Sequence, residues 1–247
     1  MDDGAWFLQI AILSLLQIVK FPFIFHHDTQ EKNMKKQQST CRHALAIGVA
    51  TALALAAASA SASAQTIVDE WSTVKPPPAP ELKPVTIDPK TSALLMLDFV
   101  APNCTQRPRC MASVPAVKKL LGEARARGMM IAYATGPTGK RADTLPELAP
   151  GDSEPVVTTG VDKFVNTDLE KLLKERGVQT VITIGTAAQG AVLYTASAAS
   201  LRGMKVIVPV DGMSDSPYSE QYTAWHLANA PLVSRNVTLT RFDLIGF

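Results

Sequence analysis

The chain has 247 residues, with 24 Lys and Arg against 22 Asp and Glu, which gives a formal net charge of +2. This near balance argues against nucleic acid or an anionic lipid surface as a partner. Three of the four histidines precede residue 65, and only His226 follows it. The remaining chain therefore cannot build a metal site from several histidines, and a Ser-His-Asp triad could use only His226. We predict neither a metal nor another cofactor.

The first 64 residues are interpreted as two segments outside the fold. In residues 34–64, Met34 is followed by basic residues, an alanine-rich apolar run and Ser-Ala repeats that end at Ala64. This order is typical of a secretory signal cleaved near Ala64, and it predicts a periplasmic or secreted protein; a membrane anchor is the alternative. Residues 1–33 place two aspartates before an apolar run, the wrong charge for export. We interpret them as an extension ahead of the true start at Met34, with a first membrane segment as the alternative.

Residues 65–90 are rich in proline and predict an extended tether, and residues 91–247 predict a single domain. Buried strands are predicted at 93–97, 129–134, 155–159, 179–184, 205–209 and 237–240, and helices at 113–127, 168–176, 188–201 and 217–229. Apolar strands that alternate with single helices are typical of a parallel sheet covered on both faces. We predict a three-layer α/β/α sandwich with a mostly parallel sheet of about six strands.

Two of the predicted helices carry further information. Residues 167–170 read Thr-Asp-Leu-Glu, which predicts a capping box at the start of the helix 168–176. The helix 188–201 has no charged residue, so we predict that it is buried on every side, in the core or against a second subunit. A homo-oligomer is therefore expected.

Ligands of open parallel sheets bind beyond the carboxyl ends of the strands. The residues that this edge selects as candidate acid, base or substrate contacts are Asp98, Thr135, Thr158, Thr159, Thr186, Ala187, Gln189, Ala191 and Asp211. Each has an ordinary structural alternative. An aspartate after a strand can simply cap a turn, threonines favour strand ends by propensity, and a first-turn glutamine can be an exposed amide.

Cys104 and Cys110 are the two cysteines that remain beyond residue 64. In an exported protein, two cysteines so close in sequence most simply form a disulfide that closes the loop around Pro108. A free catalytic thiol at Cys104 is the alternative.

The stretch SALLMLDFV and the longer stretch from DKFVNTDL to VIVPVDG together resemble the isochorismatase-like hydrolases over residues 85–215. The resemblance implies the parallel α/β/α fold and a small-molecule substrate. In many relatives an Asp–Lys–Cys triad attacks an amide, with backbone N–H groups in the turn before the cysteine forming an oxyanion hole, often beside a cis peptide. On this pattern Asp98 matches the aspartate, the lysine falls on Thr158 or Thr159, and the cysteine falls on Ala191.

With two triad members replaced, ordinary cysteine hydrolase chemistry is not predicted. The isochorismatases proper also lack the thiol, and they cleave a vinyl ether by protonation from the aspartate, but they keep the lysine. Lys163, immediately before Phe164, could swing back to Asp98, or it could be a solvated loop lysine. Two hypotheses follow: an exported hydrolase of a small amide or enol ether that uses Asp98 as general acid or base, with Lys163 or a threonine assisting, or a degenerate relative that acts as a binding or scaffold protein.

Overall fold

The computed structural model describes residues 64–247. The chain divides into two compact units, and the second, Lys75–Phe247, holds every strand and helix in the described range. The first unit contributes only residues 64–74 to that range, and these form turns. The predicted extension at 1–33 and the signal segment up to residue 63 lie outside the described residues. Within residues 64–247, no helix has the length and apolar character needed to cross a bilayer.

The second unit is built from short strands and helices that alternate along the chain. The strands are β1 (Val85–Thr86), β2 (Ser92–Leu97), β3 (Met130–Thr135), β4 (Val156–Thr158), β5 (Thr180–Thr186), β6 (Lys205–Pro209), β7 (Met213–Ser214), β8 (Val237–Thr240) and β9 (Ile245–Gly246). The α-helices are α1 (Ala101–Cys104), α2 (Pro108–Ala126), α3 (Leu169–Glu175), α4 (Leu193–Leu201) and α5 (Pro217–Asn229). A π-helical turn, Ala188–Val192, leads directly into α4.

The main sheet has seven strands in the order β4-β3-β2-β5-β6-β8, with β7 paired to β5. Every pairing in it is parallel. The predicted α/β class with a mostly parallel sheet is confirmed. The two-residue strand β7 is the one strand of this sheet that the sequence did not indicate, and β1 and β9 form a separate parallel pair.

Helices cover both faces of the sheet, because alternate side chains of each strand point to opposite faces. On β2, Ala93, Leu95 and Leu97 belong to one buried cluster, whereas Leu94 and Met96 belong to the other. The first cluster contains the buried side chains of α3, α4 and α5, and the second contains those of α2. The three layers predicted from the sequence are therefore present.

The direction in which the sheet grows reverses at β2. The chain moves from β2 to β3 and β4 on one side, and later from β5 to β6 and β8 on the other. In open parallel sheets the ligand crevice lies at such a reversal, beyond the carboxyl ends of the two central strands. Here those ends are Leu97 of β2 and Gly185 of β5, which are register partners.

Two local predictions differ from the structure. Helix α2 begins at Pro108, five positions before the predicted start, because proline is well accommodated in a first helical turn. The capping box is incomplete: the Thr167 hydroxyl accepts from the N–H of Leu169 at 3.3 Å, but Glu170 pairs with Lys174 and Arg202 instead of returning to the backbone of Thr167. The uncharged helix is only partly buried within the single chain, and burial against a second subunit stays a prediction.

The exposed face of that helix is apolar. Tyr194 and Leu201, both on α4, are 53% and 60% exposed. The absence of charge in 188–201 therefore reflects an uncharged surface as well as a buried one.

Candidate active site

Asp98 is the first residue after β2, and it lies at the point where strand order reverses. Its N–H donates to the carbonyl of Ala134 at 2.9 Å, which extends the β2–β3 pairing by one residue. Its φ of 53° lies in the left-handed region, which Asp and Asn tolerate better than most other residues with a side chain. The backbone therefore turns sharply at Asp98, and the carboxylate stands at the carboxyl edge of the sheet.

Lys163 supplies the partner of this carboxylate. Its Nζ lies 2.8 Å from Oδ1 and 2.9 Å from Oδ2 of Asp98, and 3.4 Å from the carbonyl oxygen of Thr135. Lys163 is only 1% exposed and Asp98 only 8% exposed. The interpretation of Lys163 as a solvated loop residue is therefore wrong.

Burial and pairing act in opposite directions on the Asp98 carboxyl. Removal from water raises its pKa above the ordinary value, and the charge and hydrogen bonds of the Lys163 ammonium oppose that rise. The net direction is upward. A carboxyl group that holds its proton to higher pH is better suited to donate a proton than an ordinary aspartate is.

The three candidate threonines differ in what their hydroxyl groups do. Thr135 and Thr158 share a hydrogen bond between their hydroxyl oxygens at 3.1 Å, with Thr135 buried and Thr158 exposed. The Thr159 hydroxyl donates to the carbonyl of Val165 at 2.8 Å. Thr159 therefore closes the loop that carries Lys163, whereas Thr158 is the member of the set that faces solvent.

The turn after β5 forms the other side of the site. The peptide bond between Thr186 and Ala187 is cis, and the Thr186 hydroxyl donates to the carbonyl of Ser214 at 2.9 Å. Because Leu97 pairs with Gly185, this turn emerges directly beside Asp98. Gly185 is required there, since its φ is 149° and a Cβ would lie 2.0 Å from the Leu97 carbonyl oxygen.

Backbone donors are available in this turn. Among residues 64–247, no oxygen accepts a hydrogen bond from the N–H groups of Ala188 and Gln189. Unpaired N–H groups are usual at a helix start, and they favour a negatively charged group. Gln189 is exposed. The turn can therefore bind an anionic oxygen with its backbone.

The turn has no nucleophile at the place that the family pattern gives to cysteine. Ala191 stands there, and it is 2% exposed. Cys104 and Cys110 are joined in a disulfide with a sequence separation of 6, so the alternative of a free catalytic thiol at Cys104 is wrong.

The disulfide loop forms part of the rim near the turn. Nε of Arg107 lies 3.3 Å from Oδ1 of Asp215, and Arg109 pairs with Glu220. Glu220 also accepts a hydrogen bond from the N–H of Asp215. Asp215 follows β7 directly, and β7 pairs with β5 at Thr186. The loop after Asp98 is thereby linked to the segment that supports the turn.

Other polar features lie away from this site or have structural roles. Asp211 accepts hydrogen bonds from the N–H of Phe242, 31 positions later, a structural contact between the segment after β6 and the C-terminal part of the chain. Two surface depressions, of about 520 and 460 Å³, are lined by other residues, including Lys205 and Arg235 in the first and Arg176 in the second. Within the described range, no group of three or more His, Cys, Asp or Glu side chains is placed to hold a metal.

Sequence reasoning named both members of the buried pair and the turn beside them, but it placed the family lysine on Thr158 or Thr159. The structure brings Asp98, Lys163 and Thr135 into contact. The sequence did not indicate a role in the site for Thr167 and Thr195, whose hydroxyl groups form hydrogen bonds with the backbone of Lys163. No signal in the sequence marks these hydroxyls, because their partners are backbone groups of an irregular loop.

Comparison with known proteins gives the family and the fold. Residues 92–238 match the Isochorismatase domain family. The chain is 29% identical over 146 residues to the secreted isochorismatase effector Isc1 of Verticillium dahliae, across 53% of this chain and 77% of the relative.

Solved structures share the fold. A cysteine hydrolase from Pseudomonas syringae pv. phaseolicola has a TM-score of 0.57 at 21% identity, over 66% of this chain and 94% of its own. The N-carbamoylsarcosine amidase of Thermoplasma acidophilum has a TM-score of 0.53 at 22% identity, over 62% of this chain and 97% of its own.

Proposed function

The chain belongs to the isochorismatase family, and we propose that it is an exported member that hydrolyses a small molecule without a cysteine nucleophile. The observation that carries the proposal is the buried contact of 2.8 Å between Lys163 Nζ and Asp98 Oδ1, beside a turn with unpaired N–H groups. A buried ion pair is weak evidence for stability, since apolar side chains of similar volume often stabilise a core as well. Its position at the switch of strand order favours a catalytic role.

Asp98 transfers the proton in this mechanism. For an enol ether, the protonated carboxyl gives its proton to the terminal carbon of the double bond, and positive charge develops on the carbon that bears the ether oxygen. Water adds to that carbon and returns a proton to the Asp98 carboxylate. The resulting hemiketal then breaks its bond to the ether oxygen, releasing an alcohol and a carbonyl compound. The cycle needs no covalent intermediate with the protein.

The missing thiol favours an enol ether over an amide. Amide hydrolysis in this fold would require water to take the place of the cysteine as nucleophile, whereas enol ether cleavage begins with protonation. The N–H groups of Ala188 and Gln189 would hold an anionic oxygen of the substrate, and Lys163 would hold the carboxylate of Asp98 in place between turnovers.

Export is supported by three independent features. Residues 34–64 have the order of a secretory signal, a disulfide joins Cys104 and Cys110, and a relative in Verticillium dahliae is described as secreted. Disulfides persist in oxidising compartments. A periplasmic or secreted location after cleavage near Ala64 follows from this combination.

A homo-oligomer is also proposed. The exposed Tyr194 and Leu201 on α4 and the exposed Tyr218, Tyr222 and Trp225 on α5 give these two helices an apolar and aromatic outer face. Faces of this kind are enriched at interfaces between subunits. Light scattering coupled to size exclusion should give a mass that is a multiple of the monomer, and Tyr194→Lys should lower it.

One observation favours the second candidate, a binding or scaffold protein. The carboxyl group of Asp98 is largely buried, and neither surface depression described above is lined by Asp98 or Lys163. A relative with this geometry could keep the ion pair solely to hold the loop.

A hydrolysis screen of enol ethers and small amides decides between the two candidates. We expect the wild-type chain to cleave an enol ether. The rate of Asp98→Asn should be lower by about 10²- to 10⁴-fold, the range typical of the loss of a general acid. Asn is chosen because it also tolerates the left-handed backbone at this position. The matched control is Asp211→Asn, which removes a carboxylate that only accepts from a backbone N–H, and it should keep the rate. Equal activity in wild type and Asp98→Asn would sink the mechanism.

A further inference from the structure

The loop that carries Lys163 has no regular secondary structure to hold it. Residues 159–168, between β4 and α3, form turns and bends. An irregular loop keeps a defined position only through specific contacts of its backbone. The geometry of the ion pair with Asp98 therefore depends on what fixes the backbone of Lys163.

One buried hydroxyl on α4 fixes this loop at two places. The Thr195 hydroxyl oxygen accepts from the N–H of Lys163 at 3.3 Å and donates to the carbonyl of Val161 at 3.2 Å. Thr195 is fully buried. A single side chain thus holds the peptide groups on both sides of Asp162.

The carbonyl of Lys163 is held from the opposite direction. The Thr167 hydroxyl, within the same loop, donates to it at 2.6 Å. The two threonines differ in what they connect. Thr167 joins the loop to itself, whereas Thr195 joins the loop to the helix that continues from the π-helical turn Ala188–Val192.

We propose that Thr195 is a positioning residue that sets where the ammonium of Lys163 lies relative to Asp98 and to the turn 186–191. The helix that presents the unpaired N–H groups of the turn also carries the hydroxyl that holds the lysine. A displacement of α4 would therefore move both sides of the site together. The proposal rests on the proposed function for its kinetic consequence, but not for its structural one.

Two variants of Thr195 and one of Ser200 test this role. Thr195→Val keeps the shape and removes both hydrogen bonds, whereas Thr195→Ser keeps the hydroxyl. Ser200→Ala is the matched control, because Ser200 is another buried hydroxyl on α4 and donates to the carbonyl of Val233, away from the loop. A purely structural role would make Thr195→Val and Ser200→Ala behave alike.

The first measurement needs no substrate. The folded mature chain is treated with a limiting amine-reactive acylating reagent, and labelling of Lys163 is quantified by peptide mass spectrometry against the exposed Lys205. We expect Thr195→Val to raise the relative labelling of Lys163 at least about threefold to tenfold, the range that the loss of even one of its two hydrogen bonds implies. Thr195→Ser and Ser200→Ala should match wild type. Unchanged labelling in Thr195→Val, or an equal rise in Ser200→Ala, overturns the proposal.

The second measurement uses a substrate that the hydrolysis screen identifies. Thr195→Val should lower kcat with KM nearly unchanged, and Thr195→Ser should restore it. A rise in KM alone would contradict a positioning role. A screen that finds no substrate counts against the proposed function, while the labelling result still decides the role of Thr195.

Discussion

The two sides of the candidate site have departed from the family pattern in opposite ways. On the lysine side, the expected position is occupied by Thr158 or Thr159, yet an ammonium still reaches Asp98, supplied by Lys163. On the turn side, the backbone keeps its cis peptide and its unpaired N–H groups, but Ala191 stands in place of the nucleophile. Against the pattern that the resemblance implies, one side presents an ammonium from a different loop position, and the other presents backbone donors without a thiol.

The difference follows from the geometry that each role needs. A lysine is a point charge on a flexible four-carbon stem, so a neighbouring loop position can deliver it to the same carboxylate. A nucleophilic sulfur must lie at bonding distance from the substrate carbon and beside its base, which fixes its backbone position. The charge of the triad can therefore move along the chain, whereas the nucleophile cannot.

Removal of Lys163 should have the largest effect of the tests on this comparison. Lys163→Met leaves the buried Asp98 without its cation, and breaking such a pair costs about 3–5 kcal/mol in the free energy of unfolding. Denaturant unfolding measures it, with Lys171→Met, an exposed lysine near Glu175, as the control that should stay within about 0.5 kcal/mol of wild type. A loss as small as that of the control would show that Lys163 does not replace the family lysine. The double variant with Asp98→Asn should recover part of the stability.

Restoring the thiol tests the turn side. Ala191→Cys should raise amide hydrolysis at least about tenfold over wild type, because Asp98 and the backbone N–H groups of the turn can activate a thiol at this buried position. Ala191→Ser is the control of similar size and weaker nucleophilicity. An inert thiol at this position would mean that the turn has lost more than one side chain.

Of these tests on the two sides of the site, the pH dependence of the rate has the smallest expected effect. Burial raises the pKa of Asp98, so its protonated form persists above the ordinary range, and kcat/KM for an enol ether should fall as the pH rises through this raised pKa. Since the Lys163 ammonium lowers the pKa of Asp98, Lys163→Met should move this fall to higher pH. Wild-type stability should also decrease as the pH rises through the same window, because the folded state binds this proton more tightly than the unfolded state. Carbon NMR of the Asp98 carboxyl would show the same direction, and a pKa below 3.8 would contradict it.

The sequence was sufficient for most of the fold because the strands are apolar throughout and the helices carry clear stop signals. The order of strands and helices likewise predicts that Asp98 and the turn from Thr186 to Ala191 lie at one edge of the sheet. Edges of parallel sheets follow from strand direction alone, so this part of the site was predictable.

What the sequence could not supply lies in irregular segments. The contact between Lys163 and Asp98 depends on the path of a loop without periodicity, and it stood as one of two alternatives. The capping box is incomplete because the Glu170 carboxylate has competing cations in Lys174 and Arg202, the second of which is distant in sequence, so the local pattern does not reveal it. The exposure of Tyr194 is not marked in the sequence, because an uncharged helix gives the same pattern in a core and on an apolar surface.

The disulfide loop beside the site has a consequence for the order in which the molecule assembles. Cys104 and Cys110 are 6 positions apart, so they can meet without any contact between distant parts of the chain. The partners of Arg107 and Arg109 lie 108 and 111 positions further along the chain, so these ion pairs wait until β7 and the first turn of α5 have been delivered. Contacts between distant residues generally form late, after the closure of short loops. The rim of the site is thus covalently closed early and locked to the turn last, and any chain that ends before Asp215 lacks both of its electrostatic anchors.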